Sequence, residues 1–429
     1  MPSPRPAAAV PPLAIIGALF FIFGFITWLN GTLIPFLKLA CGLSYSQALL
    51  VTFAFYIAYV FLALPSSLIL QRTGFKNGMA LGLVVMALGA LVFVPAAQAR
   101  SFGLFLAGLF VQGAGLALLQ TASNPYASIL GPLDSAARRI SLMGICNKVA
   151  GALSPLLIGA IVLQGADALE HQLAGSLPPA QREALLQQLA GRVVTPYLLM
   201  AGTLLVLAAL VRMSSLPEIE LHPSADQPGA EAAPGIGQFP HLWLGVLAIF
   251  CCVGVEVIAG DTIIQYGRTQ GLSLDVAKNL TSATLVAMLV GYLVGLVTIP
   301  KYLSQAGALR LCALLGVALT LGVLLTHGYA SVLLVALLGL ANSLLWPAIF
   351  PLSIRGLGSR TEQGSALLIM GIGGGAVLPY LYGKLGETLG LQQAYLLLIP
   401  CYLYLLFFAL RGHALPTRRA VRYAAVTTT

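Results

Sequence analysis

The sequence predicts an all-α membrane protein of about twelve transmembrane helices, arranged as two pseudo-symmetric halves of six. Three observations carry that prediction. Of the 429 residues, 59% are hydrophobic and only 8% are charged, whereas a soluble chain is about a quarter charged. Apolar runs of about twenty residues recur from end to end, each long enough to cross ~30 Å of hydrocarbon. One polar stretch, Ser214 to Pro240, interrupts them after the sixth run. Strands of a transmembrane barrel would alternate and be about half as long, which excludes that architecture.

In chain order, Met1 to Pro12 is a Pro/Ala-rich tail bearing Arg5. The run from Leu13 to about Leu37 is too long for a signal-peptide core, lacks a small-residue cleavage site and is followed by further spans, so it is the first helix. Further spans fall near 45–70, 77–97, 103–130, 139–163 and 195–213, then near 241–266, 278–299, 307–326, 329–354, 363–383 and 391–411. Residues 1–213 are thus expected to form the first half and 241–429 the second, with a short tail. The Pro-, Ala-, Gly- and Glu-rich stretch 214–240 is the expected linker. The other long connection, Gln164 to Val194, contains Pro178 to Leu186, which reads as a capped surface helix, either a lid or a packing element.

Charge sets the orientation. With the N-terminus inside, fourteen Lys/Arg fall on the inner side and seven on the outer, Lys148 lying within a span. That asymmetry places both termini in the cytoplasm. The net charge of +9 therefore resides mainly in short loops and calls for no nucleic acid. Trp243 sits at an expected interface as a belt residue. The six cysteines lie scattered through apolar segments without metal-ligand spacing, and read as small buried hydrophobes. Gly371 to Gly375 lies inside an apolar span with no Lys-Ser/Thr after it, so it serves close helix packing and flexing rather than phosphate binding. No nucleophile–base pair or nucleotide motif occurs. An enzyme, an ATP-driven pump, a bound cofactor and a metal site are all unexpected.

Chemistry concentrates in Cys252 to Tyr266, which carries Glu256 and Asp261 inside a long apolar segment. The other acidic residues fall at span edges or between spans. An ionised group at bilayer depth costs at least ~2.5 kcal/mol, so it pairs, faces water or takes part in transport. The two acids are five residues apart, about 140° around a helix and about 7.5 Å along it. They share a face only if the helix bends, most cheaply at Gly254 or Gly260. Lys148 is the one basic residue well inside a span, so it is expected to pair with Asp261 or Glu256, for transport or as a static clamp.

Neutral polar groups gather at Gln120 to Tyr126, where Pro125 frees a carbonyl. Gln120 and Asn124 share a face, and their amides both donate and accept, which suits a polyol as well as interhelical bonding. Asn342 and Trp346 repeat that spacing, offering an amide beside an aromatic platform, although Trp346 serves equally as core. Asn30, Trp28 and Asn147 are further candidates. The halves also repeat weakly. Gly24 to Pro35 aligns with Gly254 to Gln265, setting Gly31 against Asp261, while Asn124-Pro125 aligns with Trp346-Pro347 and Pro155 with Pro379. Parallel six-helix repeats place a substrate site between the halves near the midplane.

Leu29-Asn30-Gly31-Thr32-Leu33-Ile34-Pro35, Gln120 to Leu130-Gly131, Thr195-Pro196-Tyr197, Asn342 to Pro347, and Gln363-Gly364-Ser365 with the glycine run to Pro379 resemble the fucose permease and glucose/galactose transporter branch of the major facilitator superfamily. Gln71 to Lys76 keeps part of the superfamily loop motif. The resemblance implies a multi-pass protein of the bacterial inner membrane, monomeric in lipid, that imports a neutral monosaccharide with H⁺ or Na⁺ by alternating access. An amino sugar such as N-acetylglucosamine, a small disaccharide, export, or a non-transporting sugar receptor are the alternatives. The sugar would sit near Asn30, Gln120, Asn124, Asn147, Asn342 and Trp346. In the fucose permease, acids of the first and fourth helices are implicated in coupling, and here those positions are Gly31 and Gln120. Coupling is therefore expected at Asp261, the repeat partner of Gly31, with Lys148 as counter-charge and Glu256, an acid the branch shares, as the alternative.

Overall fold

The computed structural model describes residues 12–129, 136–175, 177–214, 216, 235–299, 301–357 and 360–415. Every regular element among them is helical. The first span is Pro12–Thr27 continued by Asn30–Cys41, parted at Trp28 and Leu29 upstream of Pro35. The second and third run as one element, Leu50–Leu91, preceded by the turn Tyr45–Ala48 and followed by Phe93–Gln98. A straight helix of that length would be about twice the hydrocarbon thickness. At Gly74 the backbone takes φ 74° and ψ 168°, a region that only glycine enters cheaply. Two crossings therefore meet at that residue. This is why eleven apolar helices of crossing length stand where twelve spans were expected.

The fourth, fifth and sixth spans are Phe102–Ile129, Ala136–Val162 and Val194–Met213. The seventh is Pro240–Asp261 with Ile263–Thr269, the eighth Leu274–Ala277 with Leu280–Thr298, and the ninth Gln305–Leu325. The tenth is Gly328–Asn342 with Leu345–Ile354. The eleventh, Thr361–Met370 and Gly374–Leu389, is joined by a 3₁₀ turn over the glycine run, and the twelfth ends with Leu398–Leu410. Large apolar side chains such as Leu199 and Val297 lie on the outside, about two-thirds exposed, as lipid-facing positions require.

Small residues let the helices approach. A Cβ on Gly374 would fall 1.9 Å from the Phe250 carbonyl oxygen, and one on Gly339 would fall 2.1 Å from that of Thr284. Gly254 and Gly260 do the same work, their missing Cβ atoms making room for Leu378 and for Trp28. The helix runs unbroken through both glycines and breaks only at Thr262, beyond Asp261, so the two acids stay on different faces. Between the fifth and sixth spans lie two helices, Ala166–Ala174 and Pro179–Gly191. The second is the surface helix expected from sequence, started by Pro178-Pro179 without a side-chain cap, and it is a packing element. Glu183 pairs with Arg100 at 2.9 Å, and Gln187 donates to the carbonyls of Ala97 and Gln98. The face carrying these two helices is called here the long-loop face, and the opposite one the linker face.

Candidate functional site

A cavity of about 140 Å³ lies between the first six spans and the last six. An engineered apolar cavity of roughly 150 Å³ holds benzene, so this space takes a six-membered ring. Its walls are mainly aromatic: Trp28, Tyr56, Tyr59, Tyr292 and Trp346, with Phe20 and Phe23 below them toward the linker face. Tyr56 and Tyr59 stack at 6.2 Å, and Trp346 stacks on Phe350 at 5.8 Å. Rings so fixed can cover the C–H faces of a ligand. Polar groups supply the rest: Gln120, Asn147, Lys148, Glu256 and Thr27 also line it. Gln120 donates to the Tyr59 hydroxyl at 3.2 Å, and Asn147 to the Phe20 carbonyl at 3.4 Å.

Among the described residues, the one ion pair at this depth joins the halves. Lys148 Nζ lies 2.5 Å from Glu256 Oε1, with both side chains nearly buried, and 4.7 Å from the centre of the Trp28 ring. A cation over an indole face adds attraction that grows as water is removed. Lys148 was expected to meet Asp261 or Glu256. The structure selects Glu256, because the five-residue offset turns Asp261 away from the cavity and nearer the long-loop face.

Asp261 occupies a different environment. It is 1% exposed; one oxygen accepts from the Thr52 hydroxyl at 3.1 Å, and the other has no hydrogen-bond partner among the described residues. Among the described residues no basic group lies within ion-pair distance of it. Gly31 packs directly on it: a Cβ at Gly31 would sit 2.9 Å from Thr281 Oγ1 and 3.3 Å from Asp261 Oδ1. The Thr281 hydroxyl in turn donates to the Gly260 carbonyl at 2.7 Å. Ser282 donates to the Ala152 carbonyl of the fifth span at 2.7 Å, and Trp28 is wedged against Gly260 and Gly151. These contacts seal the cavity on the long-loop side. Phe20, Phe23 and Gly144 precede Thr27 and Lys148 in helices that start at the linker face, so the cavity extends toward that face.

Of the residues singled out in the sequence, the cavity brings together Trp28, Gln120, Asn147, Trp346, Lys148 and Glu256. It does not include Asn342. That amide is 1% exposed, accepts from the Tyr402 hydroxyl at 2.7 Å and donates to the Val255 carbonyl, tying the tenth helix to the twelfth and seventh. Asn30 also lies outside the cavity, buried, with its amide nitrogen unpartnered among the described residues. The side chain of Asn124 lies outside the described residues. Sequence reasoning missed Tyr56, Tyr59, Tyr292, Phe20, Phe23 and Thr52, because an aromatic or threonine in an apolar span gives no sign of which way it faces.

The model of the Major Facilitator Superfamily matches residues 16–379. The glucose/galactose transporter of Brucella abortus is 34% identical over 403 residues, covering 93% of each chain. The L-fucose-proton symporter of Escherichia coli K12 is 29% identical over 404 residues, covering 93% of this chain and 92% of that one. A crystal structure of the fucose symporter in the outward conformation superposes with a TM-score of 0.73 at 28% identity, covering 95% of this chain and 99% of that one.

Proposed function

The chain belongs to the Major Facilitator Superfamily, and on that premise we propose that it is a secondary active transporter importing a neutral, glucose/galactose-like hexose with protons. The observation that carries this reading is the cavity at the junction of the halves. It is ring-sized and aromatic-walled, and its one cation and one anion cancel as an ion pair. A sugar phosphate or sugar acid would find no spare positive charge there, and an amine no spare negative one. Names of relatives point the same way, and the fucose-proton symporters among them favour the proton over sodium.

In this reading Gln120, Asn147 and Glu256 bond hydroxyls, Trp28 and Trp346 cover the ring, and Asp261 carries the coupling proton. Asn124 stays a candidate from sequence alone. Residues 1–213 and 241–429 are the moving halves, and 214–240 is their cytoplasmic linker. The described state, sealed on the long-loop face, is then the inward-facing one. Uptake into proteoliposomes tests the proposal, with hexoses, N-acetylhexosamines and disaccharides offered under imposed pH or sodium gradients. Accumulation of a hexose driven by pH alone is expected. Binding without uptake would make the protein a receptor, and preference for an N-acetylhexosamine or a sodium requirement would replace substrate or ion.

Two further outcomes follow. Gln120→Ala should weaken hexose binding by about 1–3 kcal/mol through a lost hydrogen bond, about tenfold per 1.4 kcal/mol. Asn342→Ala should instead leave affinity unchanged and lower stability by a similar amount, because it orphans the buried Tyr402 hydroxyl. Titration calorimetry and thermal unfolding separate the two. For orientation, a cysteine placed at the exposed Gln188 should react with an impermeant maleimide from the periplasm, and one at Tyr302 only after the membrane is opened.

A further inference from the structure

Both halves use the same device to begin their second helix. Gly42-Leu43-Ser44 and Gly271-Leu272-Ser273 are identical tripeptides 229 residues apart. Each glycine has positive φ, 65° and 93°. Each serine caps the following turn, Ser44 accepting from the Gln47 amide and Ser273 from the Val276 amide. Those turns open the second span, within Tyr45–Gln98, and the eighth, Leu274–Thr298. A serine satisfies only one of the free N–H groups at such an end.

In both cases further donors of the turn are met from the other half. Asp167, in the helix Ala166–Ala174 that follows the fifth span, accepts from the amides of Leu274 and Asp275 at 2.8 and 2.9 Å. Glu387, near the same end of the eleventh span, accepts from the Ser46 amide at 3.0 Å. A carboxylate of each half thus closes on the backbone of the opposite half, and both meet the second residue of the capped turn. Arg268 and Glu170, again from opposite halves, pair beside the first of these at 2.5 Å. Burial raises the Asp167 carboxyl, but the two amides and the Arg268 charge outweigh it and hold the group below the usual range, so it is ionised at neutral pH.

We infer that Asp167 and Glu387 form a paired latch on the long-loop face, each engaged only while the halves are shut there, so that releasing one weakens the hold of the other. The first contact lies beside the packing of the fifth span on the eighth, and the second beside that of the eleventh on the second. Rocking apart that breaks one therefore separates the other. The inference rests on alternating access as proposed above, but its test needs no substrate.

Amide hydrogen exchange is followed by mass spectrometry on the full chain in lipid nanodiscs, for the parent, Asp167→Asn and Glu387→Gln. Each variant keeps its shape and loses the charge, and neither touches the cavity. Asp167→Asn should speed exchange at 273–279 and, with it, at 44–49, each by at least about tenfold, the scale of a lost hydrogen bond to a charged group. Glu387→Gln should do the reverse. Faster exchange confined to the mutated contact in both variants would reduce the carboxylates to local caps and overturn the latch. If one variant fails to fold, the other decides. Hexose counterflow on the parent chain, run beside it, shows separately whether the transport reading stands.

Discussion

Lys148→Met is expected to lower stability by about 3–5 kcal/mol and to abolish hexose binding, whereas Lys148→Met combined with Glu256→Gln should recover most of the stability and none of the binding. Removing one partner of a buried pair leaves the other as an uncompensated charge, and that penalty exceeds the attraction lost. Here both side chains are nearly out of solvent, and the lysine also gives up its seat over Trp28. Replacing both charges removes the penalty, since a buried pair and a well-packed neutral pair are often equal in stability. Binding behaves differently because Glu256 and Lys148 face the cavity. Thermal unfolding and titration calorimetry on the single and double variants give the cycle. If the double variant binds hexose like the parent, the pair is only a clamp between the halves. If it remains as unstable as the single variant, charge burial does not explain the loss.

That pair also shows how far the sequence could be read. An intramembrane lysine must have a partner, so its pairing was legible from composition and position alone. Which acid it met was not. Glu256 and Asp261 differ only in how a helix turns toward its neighbours, and Leu378 and Trp28 packing into Gly254 and Gly260 fix that turn without any bend. The spans were legible for the opposite reason: hydropathy over about twenty residues averages out local detail. Asn342 shows the reverse error. Its residue type and spacing match a sugar ligand, yet the hydroxyl of Tyr402, sixty residues away, claims it. The repeated Gly-Leu-Ser was present in the sequence as a second trace of duplication, but its meaning depends on Asp167 and Glu387, which carry no local signal.

Asp261→Asn is expected to abolish pH-driven accumulation of hexose while leaving counterflow exchange within about twofold of the parent. The argument starts from burial. A lone carboxylate at bilayer depth costs at least ~2.5 kcal/mol, and here it is fully buried with one hydroxyl donor and no cation in reach. In the proposed mechanism the sealed state therefore holds the side chain with its proton. On alternating access as proposed, opening the long-loop face would move Thr52 and Gly31 away from it, since both belong to the other half, and would let water reach the acid. Proton affinity and the position of the seal are then linked, and a ligand shifts such an equilibrium only by its differential affinity for the two states. Asparagine keeps the shape and the neutral charge of the protonated acid, so the seal can still form and sugar can still exchange. What disappears is the obligation to carry a proton, and with it the coupling. Gly31 completes the account: a side chain there would press on Asp261 and Thr281, so this seal has room for an acid on the seventh helix and none on the first. Glu256→Gln provides the contrast, because it touches the cavity and should impair exchange and accumulation together. Accumulation persisting in Asp261→Asn but lost in Glu256→Gln, with exchange retained, would transfer the proton to Glu256. Accumulation persisting in both would leave the two carboxylates with structural roles alone.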